Sequence, residues 1–119
     1  FKKIVEGKKN IFLKIDIEGS EYRILNQIIN YKEMLTGLAI EFHDYDLNKD
    51  RVHDFINEIE MELIHVHVNE LGGISCDNTP IALEFSFSKY PLKKNVDKAL
   101  FEIPNLKGNK FISLDSVRL

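Results

Sequence analysis

The stretch Lys14-Ile15-Asp16-Ile17-Glu18-Gly19-Ser20-Glu21 decides the fold. The segment before it is apolar and rich in β-branched and aromatic residues, which predicts a strand over about Ile11 to Ile17, and a helical pattern begins after it. The chain therefore passes from strand to helix at an acidic turn that contains a glycine. Ligands of open α/β sheets bind at the carboxyl ends of the strands, so carboxylates at this point predict a functional site.

Helical and strand patterns alternate along the rest of the chain. Ser20 is expected to cap a helix that runs to about Tyr31. A strand over Leu38 to Phe42 comes next, followed by a helix that is capped by Asn48 or Asp50 and buries Val52, Phe55, Ile56 and Ile59. The remaining predicted elements are a strand over Leu63 to Val68, a loop over Glu70 to Thr79, a strand over Ile81 to Phe87 and a short helical segment over Val96 to Phe101.

This order predicts an α/β fold with parallel strands and crossover helices, followed by an antiparallel pair of strands. The last two strands are expected to be antiparallel because the loop between them has no room for a helix. In the third strand, we expect Ile64, Val66 and Val68 to face the core, and His65 and His67 to face the other side.

Composition restricts the function classes. The chain has 119 residues and 44% hydrophobic residues, which is enough for one domain with a modest core. A net charge of −3 with no basic face argues against a nucleic-acid partner. No apolar run approaches the ~18 residues of a membrane span. The single cysteine cannot form an internal disulfide, which fits a cytoplasmic protein. Because the chain begins at Phe1, we expect it to be a piece of a longer product.

The acidic turn also carries a family resemblance. KIDIEGSE resembles the signature K-[IV]-D-[IV]-E-G-x-E of the FkbM-type S-adenosylmethionine (SAM)-dependent methyltransferases. Further matching segments follow in the family's order: EFHD at Glu41 to Asp44, HVHVNE at His65 to Glu70, TPIALEFSF at Thr79 to Phe87 and IPN at Ile103 to Asn105. The resemblance covers nearly the whole chain but only about the carboxyl-terminal half of the family's domain.

The resemblance implies a partial Rossmann-like methyltransferase sheet over residues 1–119. In that fold the final antiparallel strand inserts between the second and third strands, which gives the spatial order first, second, fourth, third. The implied activity is methyl transfer from SAM to the oxygen of a sugar or of another small-molecule hydroxyl. The alternative is a non-catalytic, truncated α/β module that self-associates.

The first two strand ends supply the main site candidates. Asp16 and Glu18 lie where, in the resembled family, the transferred methyl group and the acceptor meet. The resemblance therefore implies that Asp16 is catalytic and binds the cofactor, and that Glu18 binds both the cofactor and the substrate. A helix cap and a turn residue are their structural alternatives. His43 and Asp44 end the neighbouring strand, about 4.8 Å away. His43 is a candidate catalytic base, since histidine transfers protons near neutral pH, and Asp44 is a candidate substrate ligand. A structural role for His43 stays open.

The third strand supplies further candidates. His67 and Asn69 match the family's H-x-N, which implies that they shape the acceptor pocket. His65 and His67 could instead share a zinc ion with Glu84, but that strand lies ~14 Å from Asp16, and we expect no metal. Glu21 either complements the helix dipole or acts as a ligand. Cys76 is expected to be an inert surface residue.

The resemblance also marks what the sequence lacks. A methyltransferase of this kind binds SAM at a glycine-rich turn after its first strand, and the six glycines of this chain form no G-x-G. We therefore expect this piece alone to bind SAM weakly or not at all and to be inactive. We also expect Ile11 to Ile17 to form a bare sheet edge, with Lys14 as its one obvious charge, and to pair two copies into a homodimer.

Overall fold

The computed structural model describes residues 1–91 and, as backbone, the two short strands at 101–102 and 111–112. The helices and strands are α1 (Lys2–Val5), β1 (Ile11–Ile15), α2 (Leu25–Asn30), β2 (Leu35–Phe42), α3 (Tyr45–Glu58), β3 (Glu62–Val68), β4 (Leu83–Ser88), β5 (Phe101–Glu102) and β6 (Phe111–Ile112). Single 3-10 turns lie at Glu21–Arg23, Lys32–Met34 and Glu70–Gly72. The protein is therefore a small α/β protein.

The first four strands form one mixed sheet in the order β1-β2-β4-β3. β1 and β2 are parallel, and β4 runs antiparallel to both of its neighbours, β2 and β3. This confirms the expected spatial order and the antiparallel pairing of the last two of these strands. β5 and β6 form a separate antiparallel pair.

The core lies between one face of the sheet and the helices α2 and α3, which contact each other. Alternate residues of β4 point to this face and are buried, as the period-2 pattern predicts. Phe85 is at the centre: its ring lies 5.5 Å from that of Phe42 and 6.1 Å from that of Tyr45. The helices complete the cluster with Leu25, Ile28, Val52, Phe55 and Ile59.

The opposite face of the sheet is polar. Glu41 and Glu84 are direct cross-strand neighbours on β2 and β4, a position where like charges destabilise a sheet. Each carboxylate has its own partner: Asn69 donates a hydrogen bond to Glu41 at 2.5 Å, and the Lys14 ammonium forms an ion pair with Glu84. The lysine in the middle of β1 therefore neutralises an acid on β4.

The acidic turn shortens both elements that flank it. β1 ends at Ile15, two residues before the predicted end, and the predicted helix from Ser20 is wrong at its start. A 3-10 turn over Glu21–Arg23 comes first, and α2 begins only at Leu25. The side chain of Ser20 makes no capping hydrogen bond.

The start of α3 also differs from the prediction. The N-cap position is held by Asp44, whose φ of 47° is left-handed, and not by Asn48 or Asp50. Asn48 lies inside the helix at a non-helical φ of −126°, and its side chain donates to the Asp44 carbonyl at 2.9 Å. Asn48, a residue type that often caps helices, thus lies one turn after the cap and uses its side chain for this local bond.

A strand irregularity overturns the predicted facing of Ile64. Leu63 pairs with Phe87 and His65 pairs with Ser86, so Ile64 is an extra residue without a cross-strand partner. Ile64 is consequently 41% exposed, and Leu63 packs against the core instead.

The remaining bounds differ by a few residues. β2 begins three residues before its prediction and β3 one residue before, while β4 begins two residues late and ends one residue late. The predicted helical segment over Val96 to Phe101 lies outside the described residues except for Phe101, which is in a strand.

The core position of Phe85 predicts a large cost for its removal. Phe85→Ala should reduce the free energy of unfolding by about 3–5 kcal/mol, because a fully buried ring is lost and a cavity remains. Phe12→Ala removes a ring of the same size that is 66% exposed, and it should change stability by less than about 0.5 kcal/mol. Urea unfolding followed by circular dichroism measures both. Equal costs for the two variants would contradict the described core.

Candidate functional site

A tight turn follows β1 and brings its carboxylates to the end of β2. The N–H of Ser20 donates to the carbonyl of Ile17 at 3.2 Å, and both central residues of the turn have positive φ, 54° for Glu18 and 94° for Gly19. The glycine adopts this conformation at no steric cost, whereas it is uncommon for Glu18. Since β1 and β2 are parallel neighbours, their carboxyl ends share one edge of the sheet, and His43 follows β2 directly there.

Three carboxylates surround His43. Its Nε2 lies 3.9 Å from Asp16 Oδ1 and 3.6 Å from Glu18 Oε2, and its Nδ1 lies 3.1 Å from Glu21 Oε1. Side-chain exposure rises from 0% for Glu21 through 21% for His43 and 41% for Asp16 to 85% for Glu18. We call these four residues the acidic cluster. It presents a histidine whose one side is buried against a carboxylate and whose other side faces accessible carboxylates.

Glu21 is the residue that holds the acidic cluster together. Its carboxylate accepts hydrogen bonds from the backbone N–H of Ile17 at 2.9 Å and from that of Gly19 at 3.1 and 3.3 Å. The sequence predicted either a helix-dipole acid or a ligand at this position, and no role in placing His43. Its position in the acidic motif marked Glu21 as a candidate, but the sequence does not show its contact with His43 after β2.

The environment raises the pKa of His43 above its ordinary value. Burial alone lowers the pKa of this imidazole, but the hydrogen bond to Glu21 and the negative charges of Glu21, Glu41 and Glu18 together outweigh burial. The site therefore favours a proton on His43.

Tyr22 fixes the backbone of His43. Its hydroxyl donates to the His43 carbonyl at 2.7 Å, and its ring lies 5.7 Å from the ring of Phe42. Burial raises the pKa of Tyr22, so the hydroxyl stays a donor at neutral pH. Arg51 of α3 stacks on this ring at 4.9 Å and donates to the Tyr22 carbonyl at 2.9 Å, which anchors the 3-10 turn to α3.

Asp44 belongs to the same edge. It is exposed, and its Oδ2 lies 4.0 Å from the point where a β-carbon on Gly19 would stand. The structure therefore brings together four of the predicted site residues, namely Asp16, Glu18, His43 and Asp44.

The structure places the other two predicted residues elsewhere. His67 and Asn69 come from β3 and its end, and β3 lies two strands from β2 and three from β1. His67 is exposed and pairs in register with Glu84, with its ring stacked 6.4 Å from that of His65. The side chain of Asn69 is used structurally: it donates to Glu41 and accepts from the Leu71 N–H at 3.0 Å, which caps the 3-10 turn at Glu70–Gly72.

The predicted loop after β3 is ordered by Asp77. Its carboxylate accepts from the hydroxyl of Ser75, from the backbone N–H of Thr79 at 3.1 Å and from the Lys49 ammonium at 3.2 Å, and these bonds hold the pKa of Asp77 well below its usual range. Lys49 lies on α3, so the loop is tied to the helix that begins beside His43. Cys76 in this loop is an exposed free thiol.

One arrangement has the spacing of a metal site. Among the described residues, Asp16, Glu21 and His43 each offer a ligand atom, and these atoms lie within 4.8 Å of one another. The hydrogen bond between His43 and Glu21 accounts for the proximity of these two residues, and Asp16 Oδ1 lies 3.9 Å from His43 Nε2. Within the residues that the structure describes, His65, His67 and Glu84 do not form such a group.

No helix among the described residues is long and apolar enough to cross a bilayer. Comparisons with protein-family models, with curated proteins and with solved structures find no match to this chain.

The raised pKa of His43 predicts a pH-dependent contribution to stability. Protonated His43 is stabilised by the folded state, so its contribution is full below the ordinary histidine pKa of about 6.5 and is lost as the pH rises through the higher folded pKa. The stability difference between the wild type and His43→Gln should therefore be largest below about pH 6.5 and shrink as the pH rises through the higher pKa of folded His43. Urea unfolding at a series of pH values measures it, with His53→Gln on α3 as the matched control. A difference that grows with pH would contradict the described cluster.

Proposed function

We propose that this chain is the carboxyl-terminal part of a SAM-dependent methyltransferase of the FkbM type, with a partial Rossmann-like sheet, and that it acts on the oxygen of a neutral hydroxyl compound such as a sugar. The observation that carries the proposal is the position of His43, within 4 Å of three carboxylates at the shared carboxyl edge of β1 and β2. The strand order β1-β2-β4-β3, with an inserted antiparallel strand, supports the same reading.

The reaction needs alignment and one proton acceptor. Bound at this edge, SAM would supply an activated methyl group for in-line attack by the acceptor oxygen, and the electron pair of the carbon–sulfur bond would leave on sulfur as a neutral thioether. The proton of the attacking hydroxyl passes to a base, which we assign to His43. Asp16 is the second catalytic residue, since its carboxylate lies 3.9 Å from His43 Nε2 and would orient both the acceptor and the methyl group.

The negative charge at the carboxyl edge of β1 and β2 determines which ligands this edge binds. SAM carries a sulfonium cation, which Asp16 and Glu18 attract at the cofactor site. The same carboxylates, together with Asp44, repel phosphate and carboxylate groups, so the acceptor is neutral at its reacting end. Glu18 and Asp44 accept hydrogen bonds from acceptor hydroxyls.

The remaining assignments follow from the same proposal. His67 would line the far side of the acceptor pocket, while Asn69 would position the loop from Glu70 to Thr79 through its bonds to Glu41 and Leu71. The free thiol of Cys76 suits a reducing cytoplasm. SAM binding by this chain alone is weak.

A comparison of two cofactor forms tests the proposal. Titration of the 15N-labelled chain with SAM and with S-adenosylhomocysteine, its neutral thioether product, should shift the amide signals of residues 16–20 and 43–44. SAM should shift them at lower concentration, because only SAM carries the sulfonium charge. Asp16→Asn should narrow this difference, and Asp46→Asn on α3 is the control for loss of one carboxylate. Shifts confined to other residues, or equal binding of the two forms, would contradict the proposal.

The second candidate function is self-association through β1. β1 is at the edge of the described sheet, and Phe12 on it is 66% exposed, next to Lys14. An apolar edge strand pairs readily with another chain, so a homodimer could continue one sheet across a two-fold axis.

Charge placed on this edge should weaken the dimer. Light scattering at micromolar concentration should report a dimer for the wild type and a larger monomer fraction for Phe12→Lys, which puts a second positive charge beside Lys14. Tyr90→Lys alters an aromatic residue of similar exposure, 73%, beyond the end of β4 and serves as the control. A wild-type monomer, or equal effects of the two substitutions, would rule out pairing through β1.

A further inference from the structure

The carboxylate of Glu21 differs from its neighbours in burial. Its side chain has 0% exposure, while those of Asp16 and Glu18 have 41% and 85%. Its oxygens accept from two backbone N–H groups, those of Ile17 and Gly19, and face His43 Nδ1 at 3.1 Å. A buried carboxylate is costly unless such donors surround it, so this one is fixed in place by the turn that it closes.

This contact favours a hydrogen on Nδ1 of His43, because Glu21 lies within hydrogen-bond distance of that nitrogen, while Asp16 and Glu18 lie 3.9 and 3.6 Å from Nε2. An ionised carboxylate only accepts hydrogen bonds, so the bond requires a hydrogen on Nδ1. A neutral imidazole has one N–H, and the lone pair therefore lies on Nε2. That nitrogen faces the accessible side of the acidic cluster, 3.9 Å from Asp16 and 3.6 Å from Glu18.

The imidazole is also held from its backbone. Tyr22, the residue after Glu21, donates to the His43 carbonyl at 2.7 Å. One 3-10 turn therefore fixes both the ring nitrogen and the main chain of the same histidine. The charged groups that face the ring are Asp16 and Glu18 from the segment after β1, Glu21 from the 3-10 turn and Glu41 from β2. Asp44 is the next residue in the chain.

We propose that Glu21 is a positioning residue that holds His43 in the Nδ1–H tautomer and thereby presents Nε2 as the proton acceptor for the acceptor hydroxyl. This inference rests on the proposed function, because a proton acceptor at Nε2 acts only when a hydroxyl compound is bound. In the transfer, the O–H bond breaks as the O–CH3 bond forms, the proton goes to Nε2, and the electron pair of the carbon–sulfur bond stays on sulfur. The resulting imidazolium keeps its bond to Glu21 and is stabilised by that charge.

Nitrogen NMR tests the tautomer directly. Long-range 1H–15N correlation spectra of the 119-residue chain, recorded at a pH where His43 is neutral, should show a protonated Nδ1 and an unprotonated Nε2. His43→Gln identifies the signals, since the chain has four histidines. The wild-type spectrum is sufficient by itself: an Nε2–H tautomer would overturn the proposal even if no Glu21 variant folds.

Variants separate positioning from simple structural support. Glu21→Gln should lower the pKa of His43 and mix its tautomers, because burial then lowers this pKa without the negative charge of Glu21 to oppose it. Glu21→Asp, which retains the charge, should restore the Nδ1–H tautomer in part. Glu18→Gln, on the exposed side, should leave the tautomer unchanged. An unaltered tautomer and pKa in Glu21→Gln would contradict the role of Glu21.

The NMR result is independent of the cofactor titration described above. Equal binding of SAM and S-adenosylhomocysteine, or shifts confined to residues outside the acidic cluster, would overturn methyl transfer and leave the tautomer standing. An Nε2–H tautomer would overturn the role of Glu21 and leave cofactor binding standing.

Discussion

The hydrogen bonds of one buried carboxylate, Glu21, are the constraint on which the site depends. A carboxylate with no solvent exposure is tolerated only where donors replace its water, and here the donors are the N–H groups of Ile17 and Gly19 and the ring of His43. These bonds end β1 at Ile15, force the left-handed turn that follows, and attach that turn to the end of β2. Without them, the carboxylates that follow β1 would have no fixed relation to the histidine that follows β2.

The sheet supplies the second requirement, which is that the two strand ends lie side by side. β1 and β2 are parallel and adjacent, and β4 fills the space between β2 and β3 with Leu83, Phe85 and Phe87 facing the helices. Its other face carries Glu84, whose charge is met by Lys14 from β1. The apolar face therefore stabilises the fold, and the two carboxylates of the polar face each have their own partner. The strand ends instead place three carboxylates around one histidine. The proposed chemistry uses the charges at the strand ends that remain accessible.

Much of this arrangement can be read from sequence, because it follows from local periodicity and from one motif. The adjacency of Asp16 and His43 follows from two parallel strands, and the family resemblance supplied the strand order. The failures involve contacts that no local pattern encodes. The exposure of Ile64 depends on a mismatch in register with β4, and the function of Lys14 depends on an acid 70 positions later. Glu21 was visible as a carboxylate, but its contact with His43, 22 positions later, is not encoded by any local pattern.

We propose that the acidic edge of β1 and β2 transfers a methyl group from SAM to a neutral hydroxyl. The most direct measurement is incorporation of labelled methyl from SAM by the protein as its cell produces it, with neutral polyols and matched phosphorylated polyols as acceptors. We expect label in an alkali-stable ether on the neutral acceptors, with the rate lost in His43→Gln. Label found only in alkali-labile esters or on the phosphorylated acceptors, or a full rate in His43→Gln, would contradict it.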